Sequence, residues 1–187
     1  MRWTSRAVAA AAVLTSTLAA GALAQGTGGA APTMTGPDWS AYAGIASGDN
    51  PYDVGVSVGG SGRWHRSDWP VAIRGDAYFA HHSGNIGAQI GGFDVSVSMF
   101  GVMGGAEYSF PTTNKLKPYA FGGLGLFYSH VNVDYNGGLD NSAYDSSTDL
   151  GFGIGGGINI TPKFGIELRF MNIGGFNTVP LLAAFHF

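Results

Sequence analysis

The chain has 187 residues, of which 45% are hydrophobic and only 11% charged, with 32 glycines, no cysteine and a formal net charge of −3. Low charge with abundant aromatics excludes intrinsic disorder, the lack of a three-residue glycine period excludes collagen, and glycine this dense excludes a helical bundle, at about 1 kcal/mol for each interior position. Without cysteine there is no disulfide framework and no thiolate chemistry, and so few Lys and Arg leave no electrostatic footprint for nucleic acid.

Residues 1–24 read as a secretory signal peptide. Arg2 and Arg6 supply the positive start, Ala7 to Ala20 the apolar stretch, and Ala22-Leu23-Ala24 a small-residue cleavage site before Gln25. Residues 25–37 follow as a flexible tail rich in Gly, Thr, Ala and Pro, and residues 38–187 form a single domain. No later segment has the ~18 uninterrupted apolar residues of a spanning helix, but a barrel strand needs only about 9–11 of alternating pattern.

From Trp39 onward the pattern has period two. Trp39 to Ala46 is the first predicted strand. Val54, Val56 and Val58 alternate with Gly55, Ser57 and Gly59. Val71 to His82 sets Val71, Ile73, Ala77 and Phe79 against Arg74, Asp76 and Tyr78. Val95 to Phe110 sets Phe100, Val102, Ala106, Tyr108 and Phe110 against Met99, Met103 and Glu107. Pro118 to Val133 is a long strand whose faces are ambiguous, because Tyr119, Phe121 and Phe127 oppose Leu124, Leu126 and Tyr128. Leu150 to Ile160 has one greasy face and one nearly bare, glycine face. Phe164, Ile166, Leu168 and Phe170 oppose Lys163, Gly165, Glu167, Arg169 and Met171. Leu181, Ala183, Phe185 and Phe187 end the chain.

Eight strands with short connections pair most simply in sequence order, antiparallel. Compact turns are expected at 63–68, 111–117 and 161–163, longer polar loops at 83–92 and 134–148, and a short Gly/Asn-rich turn at 174–178. Short turns at one end and longer loops at the other are the pattern of an up-and-down transmembrane β-barrel. The bare faces carry Arg74, Asp76, Glu107, Glu167 and Arg169, which would not build a soluble core. In a narrow lumen they can pair, as buried charge requires, while the Val/Ile/Leu/Phe faces suit hydrocarbon. Eight strands leave an interior just wide enough for side chains, so this luminal charge cluster is expected to be a salt-bridged plug in preference to a gate. Trp64, Trp69, Tyr108, Phe110, Tyr119 and Phe164 are expected in one interfacial girdle, and Tyr128, Tyr135 and Tyr144 in the other.

The sequence resembles the outer-membrane protein β-barrel domain family, the small OmpA/OmpX-type, porin-like barrels. The residues that carry the resemblance are the leader, Val71-Ala72-Ile73-Arg74-Gly75-Asp76, the strand Lys117-Pro118-Tyr119-Ala120-Phe121-Gly122-Gly123-Leu124-Gly125-Leu126, Gly151 to Ile158, Ile166-Glu167-Leu168-Arg169-Phe170, and Ala184-Phe185-His186-Phe187. The resemblance implies an integral barrel of the cell outer membrane with both termini in the periplasm. It also implies that Phe187 acts as an assembly signal read by the outer-membrane assembly machinery through the last strand.

Catalysis is not expected. Ser129 and His130 are adjacent in a strand and so point to opposite faces, and no nucleophile pattern stands out. His81, His82 and His130 lack a diagnostic metal-ligand spacing. The aspartates of 134–149 lack the spacing of a Ca²⁺ loop. No cofactor or metal is expected, and the partners are outer-membrane lipid and the assembly machinery, with an unidentified surface-loop partner. The expected role is structural or surface contact. A narrow porin-like channel and a secreted soluble barrel binding an apolar ligand are the alternatives.

Overall fold

The computed structural model describes residues 32–49, 52–86, 93–113, 115–135 and 142–187. The expected signal peptide, residues 25–31 of the tail, and the loop tips 87–92 and 136–141 lie outside the described residues. The strands are β1 (Met34–Gly48), β2 (Gly55–Arg66), β3 (Ala72–Ile86), β4 (Phe93–Ser109), β5 (Lys117–Tyr135), β6 (Ser142–Thr161), β7 (Phe164–Ile173) and β8 (Phe176–His186). Each pairs antiparallel with the next, and β8 pairs with β1 from Ser40↔His186 to Gly48↔Thr178, which closes the barrel. Closure pairs every strand on both sides within the barrel wall, while the upper part of β6, above Gly151, pairs with β5 alone.

Several boundaries differ from the sequence expectation. Ser83 to Ile86, expected in the loop at 83–92, extend β3 and pair with β4 from Ser83↔Ser96 to Ile86↔Phe93, and Phe176 to Thr178, expected in the turn at 174–178, open β8. The flexible tail gives way to β1 at Met34, where Met34↔Arg66 and Thr35↔His65 pair before a register shift that absorbs Gly36 and Pro37. A bulge is where a strand tolerates a residue without an N–H. The second strand continues to Arg66, so Arg63 to Arg66, expected in the turn at 63–68, are strand. Ser142 to Thr148, expected as loop, is paired with β5 through Ser129↔Ser147 and Asn132↔Tyr144. These residues are polar on both faces, which hides a strand from a reading based on apolar alternation.

The alternating faces sort cleanly. Ile45, Val56, Val58, Phe100, Val102, Leu124, Leu126, Ile154, Leu168 and Leu181 are exposed on the outer surface. Tyr42, Tyr78, Met99, Phe121, Phe127, Met171 and Leu182 are buried inside. The ambiguous fifth strand is resolved: Tyr119, Phe121 and Phe127 point in, and Leu124, Leu126 and Tyr128 point out. Inward glycines make room for these rings. A Cβ on Gly151 would sit 2.8 Å from the Phe127 ring, and one on Gly155 2.7 Å from Phe121.

The outer face of β5 is apolar or small from Pro118 to Tyr128 and then turns polar at His130, Asn132 and Asp134. That eleven-residue stretch equals a barrel span of about 9–11 residues. At the terminus end, Trp39 packs edge-on against Trp64 at 6.2 Å and Tyr108 against Phe110 at 5.0 Å. Tyr119 does not join this girdle. It is buried in the lumen, because its parity matches Phe121 rather than Ala120.

The turn between β7 and β8 is Gly174-Gly175, with φ of +59° and +97° between the paired residues Ile173 and Phe176. Two successive positive-φ residues let a two-residue connection follow the strand twist. A Cβ on Gly175 meets nothing within 4 Å, so Gly175→Val tests the backbone alone. It is expected to lower stability by about 1–2 kcal/mol in urea unfolding from detergent micelles.

Candidate functional site

In a strand, residues two apart share a face. Arg74 and Asp76 on β3 therefore both enter the lumen, and so do Glu167 and Arg169 on β7. Both strands run from the terminus end towards the loop end, so the two pairs meet level by level across the barrel with opposite signs. Arg74 Nη1 and Nη2 donate to Glu167 at 2.9 and 3.2 Å, and Arg169 Nη2 donates to Asp76 Oδ1 at 3.0 Å. Within the strands, Arg74 Nε and Nη2 bond Asp76 at 2.9 and 3.0 Å, and Arg169 Nε donates to Glu167 Oε1. Glu107, from β4, accepts from Arg74 Nη1 at 2.9 Å. The structure thus brings all five of the sequence-predicted luminal residues into one network, and all five are buried.

Five further side chains complete it. Tyr119 donates its hydroxyl to Glu167 Oε2 at 2.8 Å, and Tyr42 donates to the Ala77 carbonyl at 2.9 Å while accepting from Arg169 Nη1 at 3.2 Å. The Arg74 guanidinium lies over the Phe121 ring at 4.0 Å and that of Arg169 over Tyr42 at 4.1 Å. Arg63 bonds Glu107 Oε1 at 3.3 Å and reaches His186 Nδ1 at 2.9 Å. Three arginines thus face three carboxylates, and the network is neutral as a whole. Arg63 escapes a sequence reading that places a turn at 63–68, although Ser57, Gly59, Ser61 and Arg63 share one parity. The enclosed space beside the network, next to Ser40, Tyr42, Arg63 and His186, is about 10 Å³, no more than one water.

Ser40 Oγ lies 2.9 Å from His186 Nδ1, and His186 Nε2 lies 2.9 Å from Asn159 Oδ1. The order nucleophile, base, orienting group is the arrangement that activates a serine. Here Arg63 Nη2 also donates to Nδ1. The lone pair that would take the Ser40 proton is engaged by a cation, so the arrangement fixes the imidazole and does not prime the hydroxyl.

Above the charges, towards the loop end, the lumen is apolar: Tyr78, Met99, Phe127 and Met171 are each 1% exposed or less. Tyr78 meets Phe127 edge-on at 6.5 Å. Higher still, Phe176 packs on Tyr52 at 5.4 Å and on His82 at 5.6 Å. Partial burial raises the Tyr52 hydroxyl above its ordinary pKa. Asp49 secures this rim by accepting from the Asn177 N–H at 2.8 Å and Nδ2 at 2.9 Å.

The three histidines weighed as metal ligands are not brought together. His82 is inside, near Thr178, whereas His81 bonds Ser98 Oγ at 2.9 Å and His130 lies beside Tyr144 on the outer surface. Among the described residues no group of three or more His, Asp or Glu is arranged to hold a metal.

The profile of the outer membrane protein beta-barrel domain matches residues 8–180. The chain belongs to this family. Its fold is that of solved outer-membrane barrels. It is similar to the attachment invasion locus protein Ail of Yersinia pestis, crystallised with the heparin analogue sucrose octasulfate, at 17% identity and TM-score 0.55, over 82% of this chain and 100% of that one. A major outer membrane protein of Thermus thermophilus is similar at 15% identity and TM-score 0.55, over 84% of this chain and 100% of that one. No curated protein is similar enough to count as a match. Family and fold together place this chain among integral proteins of the outer membrane, and its outward apolar face is the lipid-facing one.

Proposed function

We propose that this barrel is a non-catalytic outer-membrane protein whose lumen is plugged by side chains and whose loop end serves surface contact. The observation that carries the reading is the division of the two faces. Apolar side chains cover the outside, while every charge of the luminal cluster is paired inside. A soluble ligand-binding barrel would have its apolar face within. Two layers favour a plug over a porin-like channel: a neutral ionic network towards the termini and a layer of buried Tyr78, Met99, Phe127 and Met171 side chains above it.

On this reading, residues 1–24 export the chain, both termini lie in the periplasm, and β5 and β6 carry the surface hairpin. At about 3.4 Å per residue and a tilt of about 40°, their 19 and 20 residues rise about 50 Å, twice the apolar band of about 25 Å. The outward residues of its upper part are His130, Asn132, Asp134, Tyr144, Ser146 and Thr148. No Lys or Arg occurs in 49–54, 83–95, 130–149 or 172–178, whereas these segments carry seven Asp. A cationic partner suits this end, unlike the polyanion crystallised with Ail. The assembly machinery is proposed to read β8 and Phe187, which is exposed and packs on Phe185 at 5.3 Å.

Cell fractionation tests the proposal. The full chain is expected in the outer-membrane fraction, with different gel mobility in heated and unheated samples, and Phe187→Ala is expected to slow its arrival there. A soluble periplasmic or secreted product would overturn the proposal.

A further inference from the structure

At the terminus end of the lumen Arg63 reaches across three strands. Its Nη1 lies 3.3 Å from Glu107 Oε1 on β4, and its Nη2 lies 3.2 Å from Ser40 Oγ on β1 and 2.9 Å from His186 Nδ1 on β8. These contacts fix the protonation state of the ring. A guanidinium only donates, so His186 Nδ1 must offer its lone pair. The imidazole is then neutral, with its proton on Nε2, which donates to Asn159 Oδ1 at 2.9 Å. An imidazolium cannot keep this arrangement. Its Nδ1–H would meet the Arg63 N–H, donor against donor and cation against cation. Ser40 Oγ, 2.9 Å from Nδ1, can turn to accept the new N–H. Arg63 has no acceptor to offer, so it is the group that must leave.

The other charged groups around the ring do not offset an imidazolium. The nearby carboxylates are engaged: Asp38 of β1 with His65, Glu107 with Arg63 and Arg74, and Glu167 of β7 with Arg74 and Arg169. Tyr119 of β5 donates to Glu167. Lys117 of β5 is paired with Asn159 in the register, and the Lys163 carbonyl accepts the His186 N–H, so the remaining side chains here are cations. Phe187, whose carboxylate ends the chain, is exposed. Arg63 is also the least enclosed arginine of the network. Its side chain is 12% exposed, against 4% for Arg74 and 0% for Arg169, and its buried Nε has no hydrogen-bond partner among the described residues. The cavity of about 10 Å³ beside it, which Ser61, Tyr119 and Glu167 help to line, can widen once Arg63 moves.

We propose that Arg63 and His186 form an acid-operated latch on the terminus end of the lumen. Protonation of His186 releases Arg63 and admits water to the ionic layer, while Tyr78, Met99, Phe127 and Met171 stay packed above it. The latch goes beyond the plug reading and holds whichever compartment the terminus end faces. An imidazole in water takes up its proton near a pH of about 6.5. Protonation therefore favours the released state about tenfold at a pH of about 5.5, and hardly at all at about 7.5.

Thiol accessibility of the purified barrel in detergent micelles tests the latch, with methyl methanethiosulfonate as the probe. The chain has no native cysteine, so single cysteines report alone. Ser61→Cys reads the buried wall beside Arg63, and Ala80→Cys reads the apolar layer, where Ala80 is fully buried and paired with Met99. Ser67→Cys, in the exposed turn, supplies the pH dependence of the reagent itself. Relative to Ser67→Cys, labelling of Ser61→Cys should rise about tenfold between a pH of about 7.5 and one of about 5.5. Ala80→Cys should stay unlabelled at both. His186→Asn keeps an oxygen for Arg63 to donate to and cannot take a proton there, so the rise should vanish in S61C/H186N. S61C/R63A should label rapidly at both pH values. Heated and unheated gel mobility confirms that each variant is folded. A flat profile in Ser61→Cys, an equal rise in S61C/H186N, or protection of S61C/R63A would overturn the proposal. So would acid labelling of Ala80→Cys, which marks general loosening of the barrel. The plug is read separately, by conductance of the wild type at neutral pH, so either reading can fail without the other.

Discussion

Arg74→Met is expected to destabilise the folded barrel by about 3–5 kcal/mol, the cost of removing one partner from a buried ionic network. Arg74 touches three carboxylates at once, Asp76, Glu107 and Glu167, at 2.9 Å each. Its loss leaves Glu107 facing only Arg63, and leaves Asp76 and Glu167 to share Arg169. The three arginines and three carboxylates would become two against three in a site with no room to hydrate the excess charge. Methionine fills much of the volume, so the effect reports the lost charge more than a cavity. Urea unfolding in detergent or vesicles measures it, with Ser146→Ala on the surface hairpin as a reference expected within about 0.5 kcal/mol of wild type. A change in Arg74→Met no larger than that reference would mean that the network contributes little to stability.

The second large effect is on conductance. The proposed plug has two layers, and they fail separately. Glu107→Ala loosens the ionic layer but leaves Tyr78, Met99, Phe127 and Met171 packed above it. Phe127→Ala opens the apolar layer, at about 3–5 kcal/mol in stability, but leaves the ionic network below. In planar bilayers the wild type and both single variants are therefore expected to show no ionic current above background. The double variant should show discrete steps. Wild-type conductance would favour the channel reading, and steps in Glu107→Ala alone would show that the apolar layer does not seal.

Much of this architecture is legible in the sequence, for a simple reason. A barrel strand has one face in hydrocarbon, so Phe100 and Val102 alternate with Met99 and Met103 without interruption. The same parity rule puts Arg74, Asp76, Glu107, Glu167 and Arg169 inside together. The misreadings have physical causes. The apolar alternation of β2 is legible only from Val54 to Gly59, because its next outward residues are Gly60 and Gly62 instead of valines. Gly62 is small because tryptophan rings lie close above it: a Cβ there would sit 3.0 Å from both Trp39 and Trp64. That broken pattern hides Arg63, and with it the link from Glu107 to His186. The upper part of β6, Ser142 to Thr148, is hidden for the opposite reason, since beside the part of β5 above Tyr128 neither face needs to be apolar. Tyr119 resembles a girdle residue by its place near a strand end, and only its parity reveals that it bonds Glu167.

The central claim is that the apolar face of this barrel points outward into lipid. The absence of native cysteine allows a direct test by single nitroxide labels, one per variant, at Val56, Phe100, Val102, Leu126 and Ile154 on the outer wall and at Ser146 on the hairpin. After reconstitution in phospholipid bilayers, electron paramagnetic resonance would measure collision with oxygen, which partitions into hydrocarbon, and with a water-soluble nickel complex. The five wall positions should be open to oxygen and shielded from nickel, and Ser146 should show the reverse. Nickel access at the wall positions equal to that at Ser146 would contradict the account.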